Sequence, residues 1–280
     1  MSSPKGSNKI FSCEFFPPRT DEGMEKLIAV RKKLDDQMQP EFYSVTFGAG
    51  GSTRDRTLET VDQLSKDGAA IAPHISCIGS TSEQIKQLLD TYIQMGVKRL
   101  VTLRGDIPEE GTGNNDFKHA NELVEFIRKE TGDHFHLEVA AYPEYHPESQ
   151  SPATDFENFK RKAEAGANSA ITQYFYNTDA YFRFIDKCGQ AGLDIPVVPG
   201  IMPITNYTGL VRFSDTCGAE IPRWIRKQLE AYGDDMDSLK AFGTDVVTDI
   251  CTRLLDQGAP GLHFYTLNQS VATLDIWQRI

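Results

Sequence analysis

The 280-residue sequence has no apolar run of about 20 residues, the length needed to cross a membrane. Its first residues, MSSPKGSNKI, contain no apolar segment typical of a secretory signal, so we expect none. Basic residues are few: 29 Lys and Arg stand against 40 Asp and Glu, giving a net charge of -11. This excess of negative charge disfavours nonspecific binding to nucleic acids or anionic membranes. We therefore expect a cytoplasmic protein with neither as a partner.

Cysteine is also sparse. The five cysteines are odd in number, form no CxxC motif and match no zinc-site spacing. Free thiols are expected for such a pattern in a reducing compartment. His74 and His146 lack a third ligand at metal spacing, so we expect no metal site.

Short apolar segments alternate with amphipathic segments along the chain. They predict eight strands, at residues 10–16, 42–47, 69–77, 99–105, 136–143, 169–175, 195–203 and 261–267. Eight strand–helix units in a chain of this length are typical of an α/β fold, the (β/α)8 TIM barrel. A doubly wound open sheet is the alternative, but its central strands would be almost continuously apolar. We expect a single barrel domain over residues 1–280, with more than one helix in the segment 204–260.

Polar side chains occur where nearly every predicted strand ends. They are Glu14, Thr46, His74, Arg104, Asp106, Tyr142, Glu144, His146, Gln173, Tyr265 and Asn268. One such end, for example Arg104-Gly105-Asp106, is by itself more often a solvated turn. In a barrel, however, these ends meet at one mouth, where active sites lie. The series therefore predicts a polar, ligand-binding mouth.

Glu14 is the strongest candidate for a catalytic residue in this group. It lies between Cys13 and Phe15 in the segment CEFFPPR. Burial among aromatic side chains disfavours a carboxylate, so we expect the pKa of Glu14 to be raised. A carboxyl with a raised pKa suits a general acid near neutral pH. A solvated glutamate at a strand edge is the alternative.

Two further segments allow two interpretations each. GAGGST (48–53) follows a strand, but Thr53 breaks the GxGxxG pattern, so we favour a flexible loop that approaches a ligand. The basic residues Arg161 and Lys162 follow Asn158 on a predicted helix. They either bind phosphate near the mouth or form a solvated helix face.

Several unusual segments carry a family resemblance: EFFPPR, SVTFGAGGSTRDRT, APHISCI, LRGDIP, AAYPEYHPE, KRKAEAGANSAITQYFY, PGIMPITN and HFYTLN. With them the sequence resembles bacterial members of the methylenetetrahydrofolate reductase family over nearly its whole length. The resemblance implies a barrel that binds FAD and reduces 5,10-methylenetetrahydrofolate to 5-methyltetrahydrofolate with NADH or NADPH. It implies a ping-pong hydride transfer through FAD, methyl groups supplied for methionine synthesis, and a homo-oligomer.

The resemblance also implies roles for single residues. Glu14 matches the general acid, which protonates folate N10 and opens the ring to an iminium at N5. Asp106 matches an aspartate near the flavin that stabilises this cation. The positions expected to contact FAD are Thr46, Phe47, Ala49, His74, Arg104, Gly105, Asp106, His119, Ala120, Tyr142, His146, Asp155, Asn158, Arg161 and Lys162. The positions expected to bind substrate are Glu14, Gln173, Phe213 and Gln269.

Two positions depart from the family pattern. His119 stands where an aromatic residue, often Tyr, is common beside FAD, and Gln269 stands where several members have Arg. A neutral Gln cannot pair with a folate carboxylate, which puts the contacts of the folate tail in doubt. Two other functions stay open: a flavin barrel with another substrate, such as an amine or proline, and a catalytically silent barrel that serves as an assembly partner.

Overall fold

The computed structural model describes residues 9–47, 54–106 and 116–280. Within these ranges, strands and helices alternate along the chain. The strands are β1 (Ile10–Phe15), β2 (Phe42–Val45), β3 (Ile71–Ser76), β4 (Arg99–Leu103), β5 (His136–Ala141), β6 (Ser169–Thr172), β7 (Val197–Val198), β8 (Gly200–Ile201) and β9 (Gly261–Tyr265). The helices are α1 (Asp21–Gln37), α2 (Arg54–Lys66), α3 (Ser82–Gln94), α4 (Ala120–Thr131), α5 (Pro152–Glu164), α6 (Thr178–Gln190), α7 (Tyr207–Cys217), α8 (Arg223–Tyr232), α9 (Met236–Asp256) and α10 (Val271–Trp277).

The strands pair in parallel and close into a barrel. Their order is β7-β6-β5-β4-β3-β2-β1-β9-β8, and only Pro199 separates β7 from β8 in the chain. The two ends of this order are therefore one barrel strand, interrupted where proline has no N–H to donate. β7 pairs with β6, and β8 pairs with β9. The predicted (β/α)8 barrel is confirmed, and the open sheet is wrong.

The predicted strands begin within two residues of the observed ones, but most end too late. β2 ends at Val45 rather than at residue 47, and β6 ends at Thr172 rather than at residue 175. The polar residues beyond these ends lie in loops at the mouth of the barrel, where strand pairing has stopped. The segment 204–260 contains α7, α8 and α9, as expected.

Alternation along the strands divides the core into two regions. In β1, Phe11, Cys13 and Phe15 belong to the large cluster that packs between barrel and helices. Ile10 has the opposite parity and packs with a small second cluster that includes Phe42 inside the barrel. Glu14 shares the parity of Ile10, so β1 directs this carboxyl into the barrel and towards its mouth.

A network of charged groups fills the opposite, N-terminal end of the barrel. Arg99 pairs with the buried Glu138 and, at 2.8 Å, with Glu41 at the surface. Glu138 also accepts a hydrogen bond of 2.6 Å from Ser169. Burial raises the pKa of Glu138, but hydrogen bonds from His136 and Ser169 and the charge of Arg99 bring it below its ordinary value. The network thus holds a carboxylate inside the barrel.

The variant Glu138→Gln should lower the free energy of unfolding by about 2 kcal/mol, because it removes the charge from a buried ion pair and keeps the shape. Glu41→Gln, which changes a half-exposed partner of the same Arg99, should cost less than about 1 kcal/mol. The folded pKa of Glu138 is depressed, so its contribution is present above the unfolded pKa and is lost as the pH falls through the folded pKa. Urea unfolding at neutral and acidic pH measures this. Equal losses for the two variants would contradict the prediction.

Neither a membrane-spanning helix nor a metal-binding cluster occurs among the described residues. None of their helices is both long and apolar enough to cross a membrane. Nor do these residues include a group of three or more His, Cys, Asp or Glu side chains placed to hold a metal ion.

Candidate active site

A cavity of about 280 Å³ opens at the C-terminal ends of the strands. Its walls are mostly apolar, with a few polar groups, which is typical of sites for small organic ligands. Six residues predicted from the sequence line it: Glu14, His74, Tyr142, Gln173, Phe213 and Tyr265. Other lining residues include Phe16, Leu103, Tyr174, Met202, Cys217 and Leu267.

A larger groove of about 540 Å³ lies beside this cavity. It is lined by predicted residues from three strand ends and two helices: Phe47, Arg104, Gly105, Asp106, His119, Ala120, Tyr142, His146, Asp155, Asn158, Arg161 and Lys162. Leu103, Ala140 and Tyr142 line both the cavity and the groove, so the two spaces adjoin.

Four predicted residues in the described part of the chain do not line these walls: Thr46, Glu144, Asn268 and Gln269. Thr46 lies just after β2, where its N–H donates to the carbonyl of Phe15 and its carbonyl accepts from Thr57. Gln269 is exposed beyond β9 and lines neither space. Ala49 falls outside the described residues.

The carboxyl of Glu14 lies among two imidazoles and a hydroxyl. His74 Nε2 is 3.2 Å and His263 Nε2 is 3.8 Å from Glu14 Oε2. Ser44 Oγ is 3.4 Å from both Glu14 Oε2 and His263 Nε2. On the far side of the ring, His263 Nδ1 lies 2.7 Å from Ser12 Oγ. Pairing of β1 with β2 and β9 brings Glu14 opposite Ser44 and next to the strand that carries His263. His74 comes from β3, which pairs with β2.

The expected rise in the pKa of Glu14 is wrong. Burial does raise it, but the neighbouring imidazoles of His263 and His74 stabilise the carboxylate and lower its pKa to about 2. Cys13, Phe15 and Phe16, the neighbours of Glu14 in the chain, do not control its pKa. Of these, Phe15 faces the helices, and the groups that control the carboxyl come from distant strands.

Cations line the groove. Arg104 forms an ion pair of 2.7 Å with Glu148 at the rim. Lys162 is partly buried, and its Nζ donates to the carbonyl of Ala140 at 2.5 Å. Burial lowers the pKa of Lys162 to about 8, against the opposing charge of Asp155. Because a weakly solvated ammonium gains from a nearby anion, the groove favours a ligand that carries negative charge.

The floor of the groove also accommodates a close ligand. Gly105 has φ +86°, and a Cβ at this position would lie 2.8 Å from Ser76 Oγ, so a larger residue would be strained here. Thr102 Oγ1, which lies at the groove, is buried and has no hydrogen-bond partner among the described residues. An orphaned hydroxyl of this kind is commonly satisfied by a ligand.

Comparisons with known proteins identify the family. The family model described as Methylenetetrahydrofolate reductase matches residues 2–280. The 5,10-methylenetetrahydrofolate reductase of Escherichia coli (strain K12) is 39% identical over 260 residues, which cover 92% of this chain and 86% of that protein. The chain belongs to the methylenetetrahydrofolate reductase family. The resemblance inferred from the sequence is thereby confirmed, and with it membership of an oxidoreductase family.

The chain is also similar to a plant protein in sequence and to a solved bacterial structure in fold. Methylenetetrahydrofolate reductase (NADH) 1 of Arabidopsis thaliana is 37% identical over 281 residues, covering 95% of this chain and 47% of that protein. A solved structure from Clostridium thermocellum, described as binding two copies of 5-methyl-5,6,7,8-tetrahydrofolic acid, has a TM-score of 0.66 at 14% identity. It covers 98% of this chain and 94% of that chain and supports the fold alone.

Sequence reasoning missed the groups that support Glu14. Ser12, Ser44 and His263 are polar residues inside strands, at positions of the same parity as Glu14 or of its partners on neighbouring strands. Their alternation along the strands is the signal for this, because residues of one parity point into the barrel. Tyr174 and Cys217 were also missed, because nothing in their local sequence marks them as cavity residues.

Proposed function

We propose that this protein reduces 5,10-methylenetetrahydrofolate to 5-methyltetrahydrofolate with NADH or NADPH, by a ping-pong hydride transfer through FAD. Family membership supports the reaction. The observation that carries the proposal is the junction of two spaces: a cavity that contains Glu14 adjoins a cation-lined groove. Such a junction lets a substrate and a redox cofactor meet at one wall.

The residues of the groove fit FAD. Arg104, Arg161 and Lys162 supply positive charge for a pyrophosphate, and Asn158 and Asp155 supply polar groups for a sugar. The buried hydroxyl of Thr102 and the open backbone at Gly105 suit close approach of a flat polar ring. FAD, when bound there, supplies the chemistry of hydride transfer between nicotinamide and folate.

In this proposal Glu14 delivers a proton to folate N10. Because its carboxyl is ionised near neutral pH, Glu14 must first gain a proton, and the imidazoles of His74 and His263 lie beside it on the route by which a proton can reach it. A substrate that fills the cavity excludes water, which disfavours the carboxylate and moves the proton to Glu14. Ser12 and Ser44 hold the ring of His263 in place for this exchange.

Gln173 and Asp106 have complementary tasks. Gln173 lines the cavity, and its Oε1 accepts a hydrogen bond of 3.0 Å from the N–H of Tyr174. Its amide NH2 would donate to the pterin. Asp106 follows Gly105 at the groove wall, where its charge would stabilise a cationic folate. We also propose that the reaction product supplies methyl groups for methionine synthesis. The protein is expected to be cytoplasmic and to form a homo-oligomer.

Anaerobic spectroscopy tests this function. The purified protein should be yellow and should release FAD on heat denaturation. NADH or NADPH should bleach the flavin absorbance, and 5,10-methylenetetrahydrofolate should restore it with formation of 5-methyltetrahydrofolate. Bleaching without recovery would indicate a flavin enzyme with another substrate, such as an amine or proline. A colourless protein that cannot be reconstituted with FAD would indicate a silent barrel.

A further inference from the structure

We propose that Glu144 is a positioning residue that holds α7, and through it Phe213, against the substrate cavity. The inference rests on the proposed function, since it assigns the cavity to the folate. Phe213 lies on α7, is 39% exposed and lines the cavity together with Thr216 and Cys217 of the same helix. The placement of α7 therefore decides the shape of one cavity wall.

The first contact is a hydrogen bond from a distant loop. Glu144 lies just after β5, two residues beyond Tyr142, which lines both cavity and groove. Its Oε2 accepts a hydrogen bond of 2.8 Å from the backbone N–H of Glu220. Glu220 follows Gly218, the residue that caps α7. The bond thus ties the end of α7 to the loop that borders the groove.

Two more contacts hold the same half of α7. Gly218 has φ +76°, and a Cβ there would lie 3.3 Å from Pro147 Cδ, so the loop after β5 packs directly on the helix end. The hydroxyl of Tyr174 shares a hydrogen bond of 3.0 Å with Ser214 Oγ, next to Phe213. Together with Glu144, these contacts form a clasp around α7, which we define as Glu144–Glu220, Pro147–Gly218 and Tyr174–Ser214.

Glu144 contributes its carboxyl to this clasp, whereas Glu220 contributes its backbone N–H. Its Oε1 is buried and has no hydrogen-bond partner among the described residues. Burial raises the pKa of Glu144 to about 7; the charge of Glu220 adds to this, and the N–H of Glu220 and the charge of Arg183 on α6 oppose it. Tyr174 and Cys217 face the same space.

The direction of the pH effect follows from this shift. If α7 moved away, Glu144 would be solvated and its pKa would return towards its ordinary value. The closed clasp therefore binds a proton more tightly than the open one, and it becomes more stable as the pH falls through about 7. The neutral acid still accepts the N–H of Glu220 through its carbonyl oxygen. Folate binding should accordingly tighten from about pH 8 to about pH 6.

Three variants of the FAD-loaded protein test the inference, with 5-methyltetrahydrofolate as the probe in equilibrium dialysis. Glu144→Ala loses the bond to Glu220 and should bind the probe about tenfold more weakly. Glu144→Gln copies the neutral acid and should bind like the wild type at about pH 6, without its change towards pH 8. The control Glu220→Gln keeps the backbone N–H and should bind at least as tightly as the wild type.

A double variant shows whether Glu144 acts through Phe213. If it does, Glu144→Ala should have almost no further effect on binding when Phe213→Ala is already present. Additive losses, or wild-type affinity in Glu144→Ala, would overturn the inference.

Hydrogen exchange provides a readout that needs no ligand. Glu144→Ala should increase exchange in the peptides that cover α7 and Glu220 and leave β1 to β4 unchanged, whereas Glu144→Gln should restore protection. Unchanged exchange across α7 in Glu144→Ala overturns the clasp. Failure of the wild type to bind the probe, with the expected exchange pattern intact, would instead count against the proposed function alone.

Discussion

Glu14→Gln should slow folate reduction by roughly 10²–10⁴-fold, the usual contribution of general acid catalysis, while reduction of the flavin by NADH continues at nearly its normal rate. The amide keeps the size of the side chain but cannot donate the proton that folate N10 requires. Since Glu14 lines the cavity and not the groove, the change should spare cofactor binding. Stopped-flow absorbance at the flavin band, measured separately for each half-reaction, gives both rates.

Glu41→Gln is the matched control for this experiment. It makes the same acid-to-amide change at the N-terminal end of the barrel, away from the mouth, and should leave both half-reactions unchanged. A parallel fall in both half-reactions of Glu14→Gln would mean that Glu14 supports the structure or binds ligands and does not supply a proton. Matching unfolding curves for wild type and variant separate these cases.

Glu14 also shows what the sequence could and could not predict. Its place at the mouth followed from the local strand pattern and from the rule that the C-terminal ends of barrel strands meet at one mouth. Its pKa depends on His74 and His263, which approach from two other strands. Electrostatic neighbours of this kind are set by register and by which strands pair, and these cannot be read from the residues adjacent in the chain.

The same distinction explains the other differences. Pro199 divides the predicted strand 195–203 into β7 and β8, because proline has no backbone N–H to donate to a neighbouring strand. The apolar residues on both sides of it made this segment look like one continuous strand. The link between Glu144 and Glu220 joins residues far apart in the chain through a backbone N–H, which carries no signal in the sequence. Polar residues inside strands, such as Ser12 and Ser44, could have been predicted to point into the barrel. Ser12 has the same parity as Glu14 along β1, and Ser44 stands opposite Glu14 on β2.

Asp106→Asn should slow hydride transfer to folate by roughly 10²-fold or more, the effect typical of removing one charge that stabilises a transition state, and should make the flavin easier to reduce. Asp106 lines the groove one residue beyond Gly105. Burial raises the pKa of Tyr142, a residue shared by the groove and the cavity, and the charges of Asp155 and Asp106 add to this rise. A negative charge that acts across this wall opposes the added electrons of a reduced flavin and favours a folate cation. The two half-reactions should therefore respond in opposite directions.

A redox titration and stopped-flow reoxidation by 5,10-methylenetetrahydrofolate measure the two effects of Asp106→Asn. The midpoint potential should rise and the reoxidation rate should fall, whereas the control Asp36→Asn, an exposed change on α1, should alter neither. Opposite shifts cannot come from simple loss of folding, which lowers both activities together. If potential and reoxidation rate both stay at wild-type values, Arg104-Gly105-Asp106 is a solvated turn at the end of β4, and the charge that stabilises the folate cation must come from another residue of the mouth.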